Sequence, residues 1–221
     1  MSISVILLAG GIGSRMGNET PKQYLPLCGK PLIRYSFEIL QMTPNLCELV
    51  VVCAPDFHHV IHEDVLFATP GARRQDSLLS GLARLTKKAD FIVVHDAARP
   101  LVTEKILLQV IEGAKTFGAA TAAVPMKGTV KEATAFHFVK KTHPRELFFE
   151  IQTPQAIRYD LLLEGMNFVQ SNGIEVTDDV SIVEILGHPV KLVEGASQNL
   201  KVTEPLDLLI AEHLLMNGAV V

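Results

Sequence analysis

The chain has 221 residues, 48% of them hydrophobic and 20% charged, with a formal net charge of −4. That length suits one sizeable α/β domain. The charge excludes an overall basic footprint for nucleic acid, and no apolar run approaches the roughly 20 residues of a membrane helix.

Met1-Ser2 leads straight into an apolar run rather than a basic-then-apolar leader, so the cytoplasm is the expected compartment. That first run, VILLA (5–9), reads as a buried strand and breaks into GGIGSRMG, with Arg15 and Lys22 flanking the glycines. The segment lacks the GxxxxGK[ST] of a P-loop, and Met16 stands where a dinucleotide GxGxxG needs its third glycine. What remains is a strand-to-helix turn whose free amides and two cations suit a triphosphate.

Ile33, Phe37 and Leu40 form a helical stripe, followed by the strand ELVVVCA (48–54). His58, His59, His62 and Glu63 have no further ligand pattern beside them and read as a solvated helix face. Leu78, Leu82 and Leu85 mark a second helix, DFIVVHD (90–96) a third strand. Leu107, Ile111 and Ala114 mark another helix with Thr103 as its N-cap, and GAATAAVP (118–125) a fourth strand. TVKEATAFHFVKKTHPREL (129–147) alternates as a hairpin with little core-facing surface, and such a hairpin is marginal alone, so a second copy of the chain is the expected support. Lys201-Val202 reads as a last short strand, with Thr203 capping a terminal helix through Leu206, Ile210 and Leu214 and Pro205 in its first turn. The alternation predicts a doubly wound, mostly parallel α/β sheet with ligands at the carboxyl ends of the strands. It is taken as one domain, 1–221, with a β-hairpin arm at about 127–150. Cys28, Cys47 and Cys53 have no CxxC spacing and read as reduced thiols.

LLAGGIGSRMG…PKQYL, GARRQDSLLSGL (71–82), HDAARP (95–100), TPQ (153–155), VTDD (176–179) and NLKVTEPLDL (199–208) occur in that order. Together they closely resemble the 2-C-methyl-D-erythritol 4-phosphate cytidylyltransferase family of the non-mevalonate isoprenoid pathway, over nearly the whole chain. The resemblance implies a Rossmann-like nucleotidyltransferase that transfers CMP from CTP to methylerythritol phosphate and releases pyrophosphate.

It also implies roles. Arg15, Lys22, Asp96 and Lys201 would form the catalytic set, the first two gripping the triphosphate. Ala9, Gly10, Gly11 and Gly13 would give close backbone approach, while Gly71, Arg74 and Ser77 would surround cytosine and ribose. Asp96 would anchor Mg²⁺ or the acceptor's hydroxyls. Arg99, Lys201, Thr177 and Asp178 would face the acceptor, although Thr177-Asp178-Asp179 alone reads as helix capping. Thr129 and Arg145 would complete the site of a homodimer partner through the arm. His95 is expected to be structural, because a phosphate nucleophile needs no base. The glycine-rich form at Leu8-Ala9-Gly10 leaves ribitol 5-phosphate or another polyol phosphate as the alternative acceptor, against which HDAARP argues.

Overall fold

The computed structural model describes residues 1–11, 17 and 20–218. Gly13 and Arg15, expected in the phosphate cradle, lie outside the described residues. In chain order the strands are β1 (Ile3–Leu8), β2 (Pro26–Leu27), β3 (Lys30–Pro31), β4 (Leu46–Val52), β5 (Leu66–Ala68), β6 (Phe91–Asp96), β7 (Ala119–Pro125), β8 (Val130–Ala133), β9 (Val139–His143), β10 (Phe149–Arg158) and β11 (Lys191–Glu194). The helices are α1 (Leu32–Gln41), α2 (Arg74–Arg84), α3 (Glu104–Phe117), α4 (Tyr159–Ser171), α5 (Ser181–Glu184) and α6 (Pro205–Met216).

The main sheet runs β11-β7-β10-β6-β1-β4-β5. Its pairs are parallel except those of β10, which is antiparallel to both β6 and β7. Because side chains alternate across a strand, Val5 and Leu7 of β1 pack to one side with Phe37 and Leu40 of α1 and Leu107 and Ile111 of α3. Ile6 and Leu8 face the other way, onto Leu78 and Leu82 of α2 and Leu162 and Met166 of α4. Helices therefore cover both faces, which is why β1, β4 and β6 are continuous apolar runs. Each fully buried Leu, Ile or Phe there contributes about 1.5–3 kcal/mol.

One strand assignment and one helix cap are corrected. Residues 201–203 are not a strand; Val202 is buried, but its N–H makes only an isolated bond to the Ala98 carbonyl at 2.8 Å. The last strand is β11, whose exposed edge leaves no apolar pattern to read. The cap of α6 is Glu204, in a capping box with Asp207, and Thr203 instead donates from N and Oγ1 to Asp207 Oδ2. Pro205 does open that helix, and Thr103 does cap α3, accepting from Ile106 N at 3.3 Å. β8 and β9 form a separate hairpin with Phe136, Phe138 and Val139 exposed.

Candidate active site

Two cavities meet at the carboxyl ends of β1 and β6. The first, of about 480 Å³, has Ala9, Gly10, Gly11 and Lys22 on one wall and Gly71, Arg74 and Ser77 on the other. Glycine is obligatory at two of these positions on space alone. A Cβ on Gly10 would lie 2.4 Å from Pro70 Cβ, and one on Gly71 would lie 2.4 Å from Asp76 Cβ. Ser77 ties its wall together: its Oγ accepts from Gly71 N–H at 3.0 Å and donates to the Arg73 carbonyl at 3.2 Å.

Asp96 ends β6 between the two cavities. Its Oδ1 accepts from Arg74 Nη2 at 2.9 Å and its Oδ2 from Lys201 Nζ at 2.7 Å. Arg74 also grips buried Asp179 with both terminal nitrogens, at 2.5 and 2.8 Å. Burial opposes ionisation of Asp96, but the charges of Arg74 and Lys201 outweigh it and hold the carboxyl well below the usual range. Burial likewise works against the Arg74 charge, and Asp179 and Asp96 more than compensate, raising its affinity for the proton.

The second cavity, of about 400 Å³, shares Arg74, Asp96 and Lys201 and adds Arg99, Thr177 and Asp178. Arg99 is 6% exposed; its guanidinium donates to the carbonyls of Asn199 at 2.8 Å and Ile151 at 3.3 Å. Its Nε has no hydrogen-bond partner among the described residues. Asp178 accepts from Gln155 Nε2 at 2.9 Å and from the N–H of Ser181, the first residue of α5, at 3.1 Å, although the N-cap position of that helix is Val180. Thr129 and Arg145 line neither cavity; Arg145 donates to the Lys127 carbonyl at 3.0 Å at the root of the arm.

Several residues shape this region in ways the sequence did not show, Asp179 having read only as part of a helix cap. Asp179 locks Arg74. Gln155 Oε1 accepts from the N–H groups of Asp179 and Val180, at 2.9 and 3.0 Å, and so sets the turn bearing Asp178. Thr153 Oγ1 accepts from Asp96 N at 3.1 Å. The TPQ run was the available signal, but it entered only as a motif of the resemblance, with no task for its side chains. His95 is fully buried and structural, as expected. His58 stacks on Phe67 with ring centroids 3.9 Å apart and Glu63 pairs with Arg34 at 2.6 Å, so this segment is not the solvated helix face expected. Among the described residues no group of three or more His, Cys, Asp or Glu is placed to hold a metal ion. Of the described residues lining the first cavity, Asp96 is the one carboxylate, and a magnesium ion that keeps waters and takes phosphate oxygens needs no more than that.

The chain matches the family model for 2-C-methyl-D-erythritol 4-phosphate cytidylyltransferase over residues 3–217. It is 46% identical to the chloroplastic enzyme of that name from Oryza sativa subsp. japonica, covering 97% of this chain and 74% of the rice protein. It is 38% identical to that of Chlamydia pneumoniae, covering 96% of this chain and 98% of the other. The crystal structure of the Thermus thermophilus cytidylyltransferase superposes with a TM-score of 0.79 at 31% identity, covering 98% and 100% of the two chains. That of 4-diphosphocytidyl-2C-methyl-D-erythritol synthase from Anaerococcus prevotii gives 0.86 at 25% identity, covering 97% and 98%. A glycine-walled pocket opening onto an Asp–Arg–Lys cluster, in a chain matched almost end to end, places this protein in the 2-C-methyl-D-erythritol 4-phosphate cytidylyltransferase family.

Proposed function

We infer that the chain transfers CMP from CTP to 2-C-methyl-D-erythritol 4-phosphate, giving 4-diphosphocytidyl-2-C-methyl-D-erythritol and pyrophosphate. The observation that carries the reading is the sharing of Asp96, Arg74 and Lys201 by two adjoining cavities, one walled by glycine and Lys22, the other by Arg99, Thr177 and Asp178. Two anionic reactants must meet, and such a seam of charge is where they would do so.

An acceptor phosphate oxygen attacks the α-phosphorus of CTP; the new P–O bond forms as the bond to the leaving pyrophosphate breaks. Such transfers need positioning and charge neutralisation more than covalent help. Lys22, with Arg15, is assigned to the triphosphate. Ala9, Gly10, Gly11 and Gly13 are assigned to close approach by its oxygens, and Gly71, Arg74 and Ser77 to the nucleoside. Lys201 spans both reactants, exchanging Asp96 for phosphate oxygen, and Arg99, Thr177 and Asp178 face the acceptor. Asp96 is assigned to the acceptor hydroxyls and to a Mg²⁺ ion, which when bound would spread the negative charge of the phosphates.

The chain is read as a single nucleotidyltransferase domain whose 127–150 arm reaches a second copy, with Thr129 and Arg145 entering that copy's acceptor cavity. A cytoplasmic setting accords with three unpaired cysteines and with the lack, among the described residues, of a helix long and apolar enough to cross a membrane.

The test is ³¹P NMR of the protein with CTP and Mg²⁺, with methylerythritol phosphate or ribitol 5-phosphate in separate tubes. A diphosphate diester and pyrophosphate should form much faster with methylerythritol phosphate, and Lys22→Ala should lower kcat on the order of 10²-fold or more. Faster turnover of ribitol 5-phosphate, or an undiminished rate in Lys22→Ala, would overturn the corresponding assignment.

A further inference from the structure

We propose that Gln23 is a positioning residue for the nucleotide's phosphates, joining the two halves of their cradle through a single side-chain amide. Its Nε2 donates to the Ala9 carbonyl at 2.6 Å and to the Gly11 carbonyl at 3.0 Å, so one hydrogen goes to each end of the described glycine stem. Gln23 is 3% exposed and sits in the middle of the short 3₁₀ turn Lys22–Tyr24, next to the lysine assigned to the triphosphate. One side chain thus sets the distance between the glycine stem and the cation.

The next residue adds to the fastening. Tyr24 Oη donates to the same Ala9 carbonyl at 3.1 Å, while its ring stacks on Phe57 with centroids 3.8 Å apart. The stem is held from other directions too: Ala9 N donates to the Val52 carbonyl at 2.9 Å, and Gly10 abuts Pro70 without room for a Cβ. In a trans peptide the carbonyl and the N–H point in opposite directions, so tying down the Ala9 carbonyl also sets the direction of the Gly10 N–H. Glycines left alone sample many backbone angles, and phosphate would have to order them on arrival. Two amide hydrogens on two carbonyls carry that ordering in the folded chain beforehand, which favours binding by preorganisation.

This inference rests on reading the first cavity as the CTP site, and the experiment separates the two. Gln23→Met keeps side-chain bulk and removes both donors. The KM for CTP is expected to rise about tenfold, on the scale of one net hydrogen bond. CMP lacks the outer phosphates, so its Ki as a competitor should stay within twofold, as should the KM for methylerythritol phosphate. A Ki for CMP that rises in step with the CTP KM, or a CTP KM unchanged within twofold, overturns the role of Gln23. Should Gln23→Met fail to fold, Tyr24→Phe carries the test, with a rise of about threefold for CTP against an unchanged Ki for CMP. If Lys22→Ala leaves CTP turnover intact, the reading of the cavity fails and not merely the role of Gln23.

Discussion

His95 has no acid–base task, but its protonation state can be deduced. Its Nε2 lies 3.3 Å from the Arg99 carbonyl, which can only accept, so Nε2 carries the proton. Nδ1 is then bare and accepts from Thr153 Oγ1 at 3.0 Å, and that same oxygen accepts from Asp96 N. The neutral ring is part of the scaffold that holds Asp96 and Arg99 in place. Burial pushes its pKa down to about 4 from the ordinary 6.5, because a charged imidazolium is poorly solvated there. The unfolded chain therefore takes up a proton between pH 6.5 and 4 that the folded chain refuses, and stability falls as pH falls through that window. The contribution is about 3 kcal/mol. Asp96 acts lower down: its depressed pKa stabilises the fold above about pH 4 and the effect fades below. Urea unfolding at about pH 7 and about pH 4.5 should show a smaller loss for His95→Asn than for the parent, whatever their offset at neutral pH. An equal loss would mean that His95 does not carry this proton. Cys53 behaves in parallel as a core group, with burial pushing its thiol up to about 11.

At the scale of elements, α4 and α5 meet at a glycine. A Cβ on Gly165 would lie 2.5 Å from Ile182 Cγ2 and 2.7 Å from the Ile182 carbonyl oxygen. A rotamer change relieves the first clash, but the second is with backbone. Ala in place of Gly within a helix is favourable by about 1 kcal/mol, whereas overpacking costs about 1–3 kcal/mol, so the clash should win. Gly165→Ala is expected to lower Tm by a few degrees. Because α5 follows directly on Asp178 and Asp179, the KM for methylerythritol phosphate should rise more than that for CTP. An unchanged Tm with both KM values preserved would show that the two helices separate freely.

The elements differ in how plainly the sequence announced them. β1, β4, β6 and β7 were legible because both of their faces are covered. β10 was not, since Gln152, Thr153 and Gln155 are buried yet polar, each satisfied by partners far away in sequence: Ala196 and Asn199, His95 and Asp96, Thr121 and Asp178. Buried hydrogen-bonded polar groups leave no hydrophobic period behind. For the site, Lys22, Arg74, Asp96 and Lys201 could be placed through motifs, whereas the pairings Arg74–Asp179 and Asp96–Lys201, each joining residues 105 positions apart, could not.

For the molecule as a whole, the arm raises the question of partnership. Phe136, Phe138 and Leu147 are 82%, 72% and 73% exposed, so this apolar surface finds no cover among the described residues of one chain. The dimer reading makes a sharp prediction. A Lys22→Ala chain and an Arg145→Ala chain, each inactive alone, should recover activity after mixing and verified subunit exchange, up to about one quarter of the parent's rate per site if random heterodimers form and half their sites are intact. No recovery would mean that each chain builds its pocket unaided.

The place of β10 in the sheet also governs the order of assembly. β6 and β7 follow one another along the chain but are never neighbours, because β10 lies between them and pairs with both. As the chain is synthesised from its amino terminus, β1, β4, β5 and β6 can associate once residue 96 has emerged, bringing together the glycine stem, Gly71 and Asp96. β6 nevertheless keeps an open edge until residues 149–158 arrive. Gln152, Thr153 and Gln155 arrive with them, so the nucleotide wall can be drafted early, whereas that edge closes late and the acceptor wall later still, with Thr177, Asp178 and Lys201.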